Sequence, residues 1–213
     1  MNMKLGPGEP LAGPWRVTPI HDLVRVLFDA DRARDGQPWI LAVDGRSGSG
    51  KSTVAALLHR SVPASAIVHT DDVAWHHSFF DWSDLLAEGI LKPLRNGRAV
   101  NYRPPGWDKR GRPGAIEVAG GLDLVIVEGV GASRTEVMPW IDRALWVQSD
   151  LEEAEGRGIA RDGDPEEARD FWREWGAQEF DFLQRQRATV IVNGTPTQPY
   201  DQSAEIMLAP ALY

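Results

Sequence analysis

The chain has 213 residues, a net charge of −8 and no cysteine. This length suits one large domain with a substantial core. The acidic balance argues against a broad nucleic-acid-binding surface, and the lack of cysteine excludes disulfide bonds and thiolate metal sites. No apolar run approaches membrane-spanning length and the N-terminus lacks a signal-peptide core, so we expect a cytoplasmic protein without membrane or nucleic-acid partners. The sequence leaves open whether the chain forms a homo-oligomer.

The chain ends are expected to flank a central core. Residues 1–36 are interpreted as an N-terminal extension, irregular at first because it is rich in proline and glycine, and then helical from Ile20 to Arg34. Residues 38–193 are expected to form the core. Residues 194–213 are expected to be a tail with weak helical character from Ala204 to Leu208. Without an internal repeat or a second boundary, we predict a single domain.

The core opens with a motif for phosphate binding. The segment Gly45-Arg46-Ser47-Gly48-Ser49-Gly50-Lys51-Ser52 matches the pattern G-x-x-x-x-G-K-[ST] at every fixed position. Its glycines let backbone N–H groups curl into a cup at a helix N-terminus, Lys51 can reach the outer phosphates, and the Ser52 hydroxyl can bind Mg²⁺. An apolar run precedes it and a helical pattern follows it, which favours a true phosphate loop over a chance match. The predicted nucleotide-binding residues are Gly45, Ser47, Gly48, Ser49, Gly50, Lys51, Ser52 and Thr53.

Two later strands end in acidic residues. The strand Ala66–His69 continues into Asp71 and Asp72, and the most hydrophobic strand, Leu122–Val127, ends at Glu128. In open parallel sheets, ligands bind beyond the carboxyl ends of strands, so function is favoured over a helix cap or a solvated turn. Glu128, downstream of a phosphate loop, is therefore predicted to hold Mg²⁺ or its coordinated water together with Ser52.

Aromatic and basic residues follow the second strand. Residues 75–82 predict either an aromatic wall for a flat or sugar-like substrate or plain packing, and the adjacent histidines His76 and His77 lack the spacing of a metal site. Residues 103–114 form a long charged loop, interpreted equally as a solvated hairpin tip or a substrate-side flap. The candidate substrate-binding residues here are Asp72, Trp75, Tyr102 and Trp107.

The C-terminal half of the core contains a pair of arginines. Leu151 to Arg161 is predicted to be helical, which places Arg157 and Arg161 on one face. Their mutual repulsion makes sense opposite an anion, although pairing of Arg157 with Glu153 is the alternative. A further helix, opened at Pro165, is expected to pack on the core. Alternating strands and helices predict a three-layer α/β fold around a mostly parallel, five-stranded sheet.

Together these motifs resemble the uridine kinase family of P-loop kinases, which includes phosphoribulokinase and nicotinamide riboside kinase relatives. The resemblance rests on Val43 to Thr53, His69 to Asp72, Val125 to Gly129 and Arg157 to Asp162. It implies a nucleoside-monophosphate-kinase-like fold with a small lid, ATP and Mg²⁺ as cofactors, and Asp71 as the base that acts on an acceptor hydroxyl. It further implies that Glu128 holds the metal and that Lys51, Arg157 and Arg161 contact the phosphates.

The resemblance weakens on the acceptor side. The stretches Val73 to His77 and Tyr102 to Asp108 differ from the nucleoside-binding pattern of that family, and Gly158 stands where a second arginine is often found. The leading hypothesis is an ATP-dependent kinase that phosphorylates a nucleoside-like acceptor. Another hydroxylated metabolite or antibiotic remains an alternative acceptor. A P-loop ATPase or nucleotide-dependent switch is the alternative from a different class, although the chain lacks the guanine-selective N-K-x-D stretch.

Overall fold

The computed structural model describes residues 3–28, 36–77, 81–162 and 188–210, which are organised around a seven-stranded sheet. The sheet strands are β1 Arg16–Pro19, β2 Trp39–Gly45, β3 Ser65–His69, β6 Leu124–Glu128, β7 Arg143–Gln148, β8 Val190–Asn193 and β9 Glu205–Pro210; β4 Val100–Tyr102 and β5 Ile116–Val118 form a separate antiparallel pair. The strand order is β1-β9-β8-β7-β2-β6-β3, and the five strands from β8 to β3 run parallel. Strand β9 is antiparallel to both β8 and β1.

The helices connect these strands. In the described residues, every helix is too short or too polar to span a bilayer. Between α4 and α5 a π-helical segment, Ala87–Leu91, continues the same run of helix. The helices are α1 Ile20–Leu27, α2 Lys51–Ser61, α3 Thr70–Ala74, α4 Ser83–Leu86, α5 Lys92–Arg95, α6 Pro105–Arg110 and α7 Leu151–Asp162, with a 3₁₀ turn at Met138–Trp140.

The alternation of side chains along the central strands produces the layers. In β2, Ile40 and Ala42 belong to a core cluster that also contains Leu86 and Ile90 from the α4–α5 region. The neighbouring Leu41 and Val43 face the opposite cluster with residues of α1 and α2. Because successive side chains of a strand point to opposite faces, an entirely apolar strand requires cover on both sides. The predicted three-layer α/β fold is therefore confirmed.

The sheet is larger than predicted. The five parallel strands are present, but β9 and β1 extend the sheet to seven strands, so the expectation of five strands was wrong. The weak helical pattern from Ala204 to Leu208 gives way to β9, because pairing with β8 and β1 outweighs a weak local preference. Likewise, the N-terminal region expected to be irregular contains β1.

Other predictions differ at element ends. Helix α1 ends at Leu27 and Phe28 is extended, so the predicted helix stops there, and its residues 29–34 lie outside the described part of the chain. The helix predicted from Pro165 lies within residues 163–187, which are also outside it, and the small lid expected beside the two arginines is not described beyond Asp162. The segment 103–114, interpreted as a loop, contains α6.

Strand β2 should dominate the stability of the sheet. Leu41 is fully buried at its centre, so the substitution Leu41→Ala should lower the free energy of unfolding by about 2–5 kcal/mol through lost burial and an unfilled cavity. Val26 is 60% exposed, and Val26→Ala should change that free energy by less than roughly 0.5 kcal/mol. Denaturant unfolding of both variants measures the difference, and equal effects would contradict the assigned core.

Candidate active site

The phosphate-binding loop joins β2 to α2, as the sequence predicted. Strand β2 ends at Gly45 and α2 begins at Lys51, so the N-terminal amides of α2 open directly onto the loop. The buried Lys51 Nζ donates a hydrogen bond of 2.9 Å to the carbonyl of Arg46, which holds the ammonium group across the loop. This is the strand, loop and helix arrangement that binds phosphate in P-loop proteins.

Gly48 shows why the loop requires glycine. Its φ of +72° is a left-handed conformation, and a Cβ atom built at this position would lie 2.0 Å from the carbonyl oxygen of Ala154 in α7. Because the obstructing atom belongs to a helix backbone, it cannot move without displacing α7. The loop and α7 are therefore in direct contact through Gly48.

The parallel register brings two predicted carboxylates to the loop. Glu128 at the end of β6 pairs in register with Val43 of β2 on one side and His69 of β3 on the other, and Asp71 follows His69 by two residues. A cavity of about 710 Å³ opens over this edge. It is lined by the predicted site residues Ser47, Gly48, Gly50, Lys51, Ser52, Thr53, Asp71, Trp75, Glu128, Arg157 and Arg161.

Glu128 makes contacts that keep it ionised. Its Oε1 accepts a hydrogen bond of 3.1 Å from Ser52 Oγ and lies 2.7 Å from Nδ1 of His69. Burial opposes the ionised form, but the bond to His69, the charge of Lys51 and the bond from Ser52 prevail and lower the pKa of Glu128. The same contact raises the pKa of His69, chiefly through its hydrogen bond to Glu128.

Asp71 has the opposite electrostatic environment. Its carboxyl is accessible to solvent through the cavity but is surrounded by protein, and this partial desolvation raises its pKa. The charge of Glu128 acts in the same direction, while Lys51 and Arg161 oppose it. A carboxyl whose pKa is raised above the ordinary aspartate value holds a proton more strongly, which suits it to accepting one from a substrate.

The residues present fit a magnesium ion. The Oε2 atom of Glu128 is buried and has no hydrogen-bond partner, although Oε1 has two. The described residues contain no group of three or more His, Cys, Asp or Glu side chains that could enclose a metal by themselves. Magnesium characteristically takes one or two protein ligands and completes its shell with water and phosphate oxygens. Glu128 and Ser52 are the groups that would hold it, and the ion would neutralise phosphate charge.

The two arginines of α7 line the cavity from the opposite side. Arg157 donates to the carbonyl of Gly194 at 3.0 Å and pairs with Glu153 at 3.2 Å. The pairing of Arg157 with Glu153, the alternative weighed from the sequence, is therefore present, and the side chain also lines the cavity. Arg161 contributes positive charge at Asp71.

The segment 103–114 contacts the residues beside the cavity through Trp107 and Arg112. Trp107 Nε1 donates to the carbonyl of Asp72 at 2.8 Å. Arg112 pairs with the Asp72 carboxylate at 2.7 Å, and its guanidinium carbon lies 3.7 Å from the ring centroid of Trp107 and 5.1 Å from that of Trp75. Trp107 and Arg112 thus form a packed wall beside Trp75, whereas residues 108–111 of the same segment are exposed to solvent, as one of the two sequence interpretations allowed.

Some predicted site residues lie outside the cavity formed by the described residues. Tyr102 packs over Gly89, and Trp107 and Asp72 both contact Arg112 and do not line the cavity. Gly45 and Ser49 belong to the phosphate loop but are buried beneath it. Of the candidate substrate-binding residues, the structure therefore brings only Trp75 into the cavity.

Sequence reasoning missed two residues that shape the site. His69 was assigned only to a strand, although its position two residues before Asp71 and the parallel register with β6 could have indicated its contact with Glu128.

Asp44 is the second missed residue. It is fully buried and accepts hydrogen bonds from the amides of Gly45, Gly131 and Ser133 and from the Ser133 hydroxyl, so it connects the start of the phosphate loop to the segment after β6. Burial raises the pKa of Asp44, but these four donors favour its ionised form.

The close contact at Gly48 leads to a test. Gly48→Ala should abolish measurable nucleotide binding, because the methyl group must displace either the loop or α7. Gly121 has the same φ of +72° with nothing within 4 Å of an added Cβ, so Gly121→Ala is a matched control for backbone strain. The left-handed conformation should cost each variant roughly 1–2 kcal/mol of stability, and the clash with α7 adds a further loss in Gly48→Ala alone. Calorimetric titration with a nucleotide separates them, and unchanged binding by Gly48→Ala would contradict the loop geometry.

Comparison with known proteins supports the assignment of the fold. No protein-family model and no curated protein sequence matches the chain. Among solved structures, a protein proposed to be a fructose transport system kinase from Silicibacter sp. TM1040 is 17% identical, with a TM-score of 0.55 over 73% of this chain and 89% of that one. A protein proposed to be a uridine kinase from Bacillus stearothermophilus is 18% identical, with a TM-score of 0.48 over 81% and 96% of the two chains. D-glycerate 3-kinase from Cryptococcus neoformans is 15% identical, with a TM-score of 0.49 over 82% and 92%.

At these identities the similarity concerns the fold. The mostly parallel sheet, the phosphate loop between β2 and α2 and the similarity to the Silicibacter protein agree with one another. The chain therefore has the fold of the P-loop kinases.

Proposed function

We propose that the protein is an ATP-dependent kinase that transfers the γ-phosphate to a hydroxyl group of a nucleoside-like small molecule. The observation that carries this proposal is the shared cavity, in which Asp71 faces the same space as Lys51 and Arg161. A nucleotide-hydrolysing protein needs only a positioned water. A carboxylate with a raised pKa opposite a phosphate cup is suited to activating an organic hydroxyl.

The donor half of the cavity would bind the triphosphate. The loop amides and Lys51 contact the β- and γ-phosphates, and Arg157 and Arg161 stabilise the charge that spreads over the transferred group. Magnesium, when bound, supplies neutralisation of phosphate charge. Ser52 and Glu128 are the groups that would hold it, and His69 keeps the Glu128 carboxylate oriented.

Asp71 would act on the acceptor. Its carboxylate orients the acceptor hydroxyl and takes its proton as the hydroxyl oxygen bonds to the γ-phosphorus. The bond from that phosphorus to the β,γ-bridging oxygen breaks, and ADP leaves with the bonding electrons. Because the phosphoryl transition state is loose, most of the rate enhancement comes from positioning and charge stabilisation.

The walls beside Asp71 favour a ring-containing acceptor. Trp75 is partly exposed at the cavity together with the exposed His76 and His77, whereas Trp82, at the cavity margin, is only 2% exposed and belongs to the core. His76 has a φ of +51°, an uncommon conformation for a residue other than glycine, of the kind that clusters at ligand-binding sites. Aromatic faces stack well on flat bases and sugar rings, which supports a ring-containing acceptor. A nucleoside, which has both kinds of ring, is the proposed acceptor, and a sugar-containing antibiotic or another hydroxylated metabolite is the alternative.

A nucleotide-dependent ATPase is the second candidate. The phosphate loop and Glu128 would serve it equally well, but it leaves Asp71 and the aromatic walls without a role. ADP formation from ATP and Mg²⁺ should be measured across a panel of nucleosides, sugars and hydroxylated antibiotics, with phosphorylated product identified by mass spectrometry. Nucleoside-dependent ADP formation supports the proposal, whereas hydrolysis independent of every acceptor favours the ATPase.

Replacement of Asp71 tests the base directly. Asp71→Asn keeps the size of the side chain but cannot take a proton, so kcat should fall by about 10²–10⁴-fold while ATP affinity stays close to wild type. The control is Asp123→Asn, which neutralises an exposed carboxylate just before the opposite end of β6. Steady-state kinetics and nucleotide titration distinguish the two, and wild-type turnover by Asp71→Asn would rule out the base assignment.

The raised pKa of Asp71 predicts the pH profile. The base must be ionised, so kcat/KM, which reports the free enzyme, should decline as the pH falls through the pKa of Asp71. This decline should lie at higher pH than for an ordinary aspartate because partial desolvation raises the pKa. The profile is measured at subsaturating ATP and acceptor, with nucleotide affinity followed over the same range because the ATP phosphates also titrate. A flat profile down to the usual aspartate range would contradict this environment.

A further inference from the structure

The N-terminal segment contacts the phosphate loop through residues that do not line the cavity. Residues 4–12, here called the strap, run along the ends of β7 and α7. Gln148, the last residue of β7, is fully buried, and its side chain donates to the carbonyl of Pro10 at 2.9 Å and accepts from the amide of Ala12 at 2.8 Å. The strap is thereby fixed to the sheet edge where the donor site lies.

A buried ion pair joins the strap to the loop. The carboxylate of Glu9 pairs with the guanidinium of Arg46, and their side chains are 0% and 2% exposed. Glu9 also accepts hydrogen bonds from the Gln148 side chain at 3.1 Å and from the amide of Gly6 at 3.3 Å. Burying two charges is costly, and apolar residues of similar size would often stabilise a fold as well or better. The pair is therefore better explained by the position it imposes than by stability alone.

That position matters because Arg46 shapes the loop from within. It is the second residue of the phosphate-binding motif, and its carbonyl accepts hydrogen bonds from Lys51 Nζ at 2.9 Å and from the Ser49 amide at 3.2 Å. Because the buried guanidinium is held by Glu9, the backbone of Arg46, including this carbonyl, is restrained at the same time. Without that restraint, the ammonium group of Lys51 and the curl of the loop would shift together.

The other end of the strap holds α7. The Lys4 amide donates to the Asp150 carboxylate at 2.7 Å, the Leu151 amide donates to the Lys4 carbonyl at 2.8 Å, and the Lys4 side chain pairs with Glu152 at 2.6 Å. Asp150 in turn accepts from the first amides of α7, which carries Arg157 and Arg161. One segment thus contacts both halves of the proposed phosphate site.

We propose that Glu9 is a positioning residue of the donor site, which through Arg46 holds the phosphate-binding loop in the geometry that binds a nucleoside triphosphate. The inference rests on the proposed function for its substrate, but its subject is the loop geometry. The strap belongs to the region expected from sequence to be an irregular extension. It serves the site without entering the cavity.

The test compares two ion pairs. In Glu9→Gln the loop loses its anchor, and the affinity for ATP with Mg²⁺ should fall roughly tenfold or more. Arg95→Gln is the matched control. Arg95 pairs with Asp142 at 2.8 Å, and their side chains are only 18% and 14% exposed. The Asp142 carboxylate accepts a hydrogen bond from the Ile40 amide near the start of β2, which is the end of the strand away from the loop. Both variants should have a lower Tm, but Arg95→Gln should bind ATP within about twofold of wild type.

Hydrogen exchange adds a readout independent of ligand. The amides of residues 45–50 should exchange faster in Glu9→Gln than in Arg95→Gln at equal loss of Tm. If Glu9→Gln does not fold, Gln148→Ala, which removes a neutral contact of the strap, should show a smaller effect in the same direction. Wild-type ATP affinity with unchanged exchange in the folded strap variant would overturn the proposal. Failure of the wild-type protein to bind ATP would instead count against the proposed function, and loop exchange would still decide the role of the strap.

Discussion

The parallel pairing of β2, β3 and β6 is the constraint on which the rest of the site depends. Parallel strands end at one edge of the sheet, and the register sets Val43, His69 and Glu128 level with one another. The phosphate loop, the acidic segment after β3 and the carboxylate of β6 are then neighbours without any further adjustment. A shift of one residue in β6 would turn Glu128 to the other face of the sheet.

Much of this arrangement could be predicted from the sequence because its signals are local. The phosphate loop has fixed residue types at fixed spacing, and a strand such as Leu124–Glu128, which is apolar up to its last residue, indicates a buried parallel position. Asp71 was identified by the same logic, since an acid that follows a buried strand lies at the edge where ligands bind. The convergence of Lys51, Asp71 and Glu128 on one cavity follows from these local signals together with the handedness of the crossovers.

The remainder depends on contacts that are distant in sequence. Strand β9 has little strand character of its own and is fixed by pairing with β8 and β1. Glu9 and Arg46 are 37 positions apart, and nothing in their immediate surroundings indicates a buried pair. Tyr102 was a reasonable candidate from composition, yet its ring covers Gly89 instead of the cavity. In each case tertiary packing determines the outcome.

The contact between Asp72 and Arg112 gives the two adjacent acids after β3 different surroundings. Arg112, 40 positions downstream, lies against Trp107 and forms an ion pair with Asp72. Asp71 has its carboxylate at the cavity instead. The number of negative charges that an incoming molecule meets is therefore set by a residue remote from the reacting atoms. Substitutions at Arg112 or Trp107 would change the charge beside the cavity and leave the phosphate loop and Asp71 intact. The acceptor specificity of this fold can therefore change while the phosphoryl-transfer reaction stays the same.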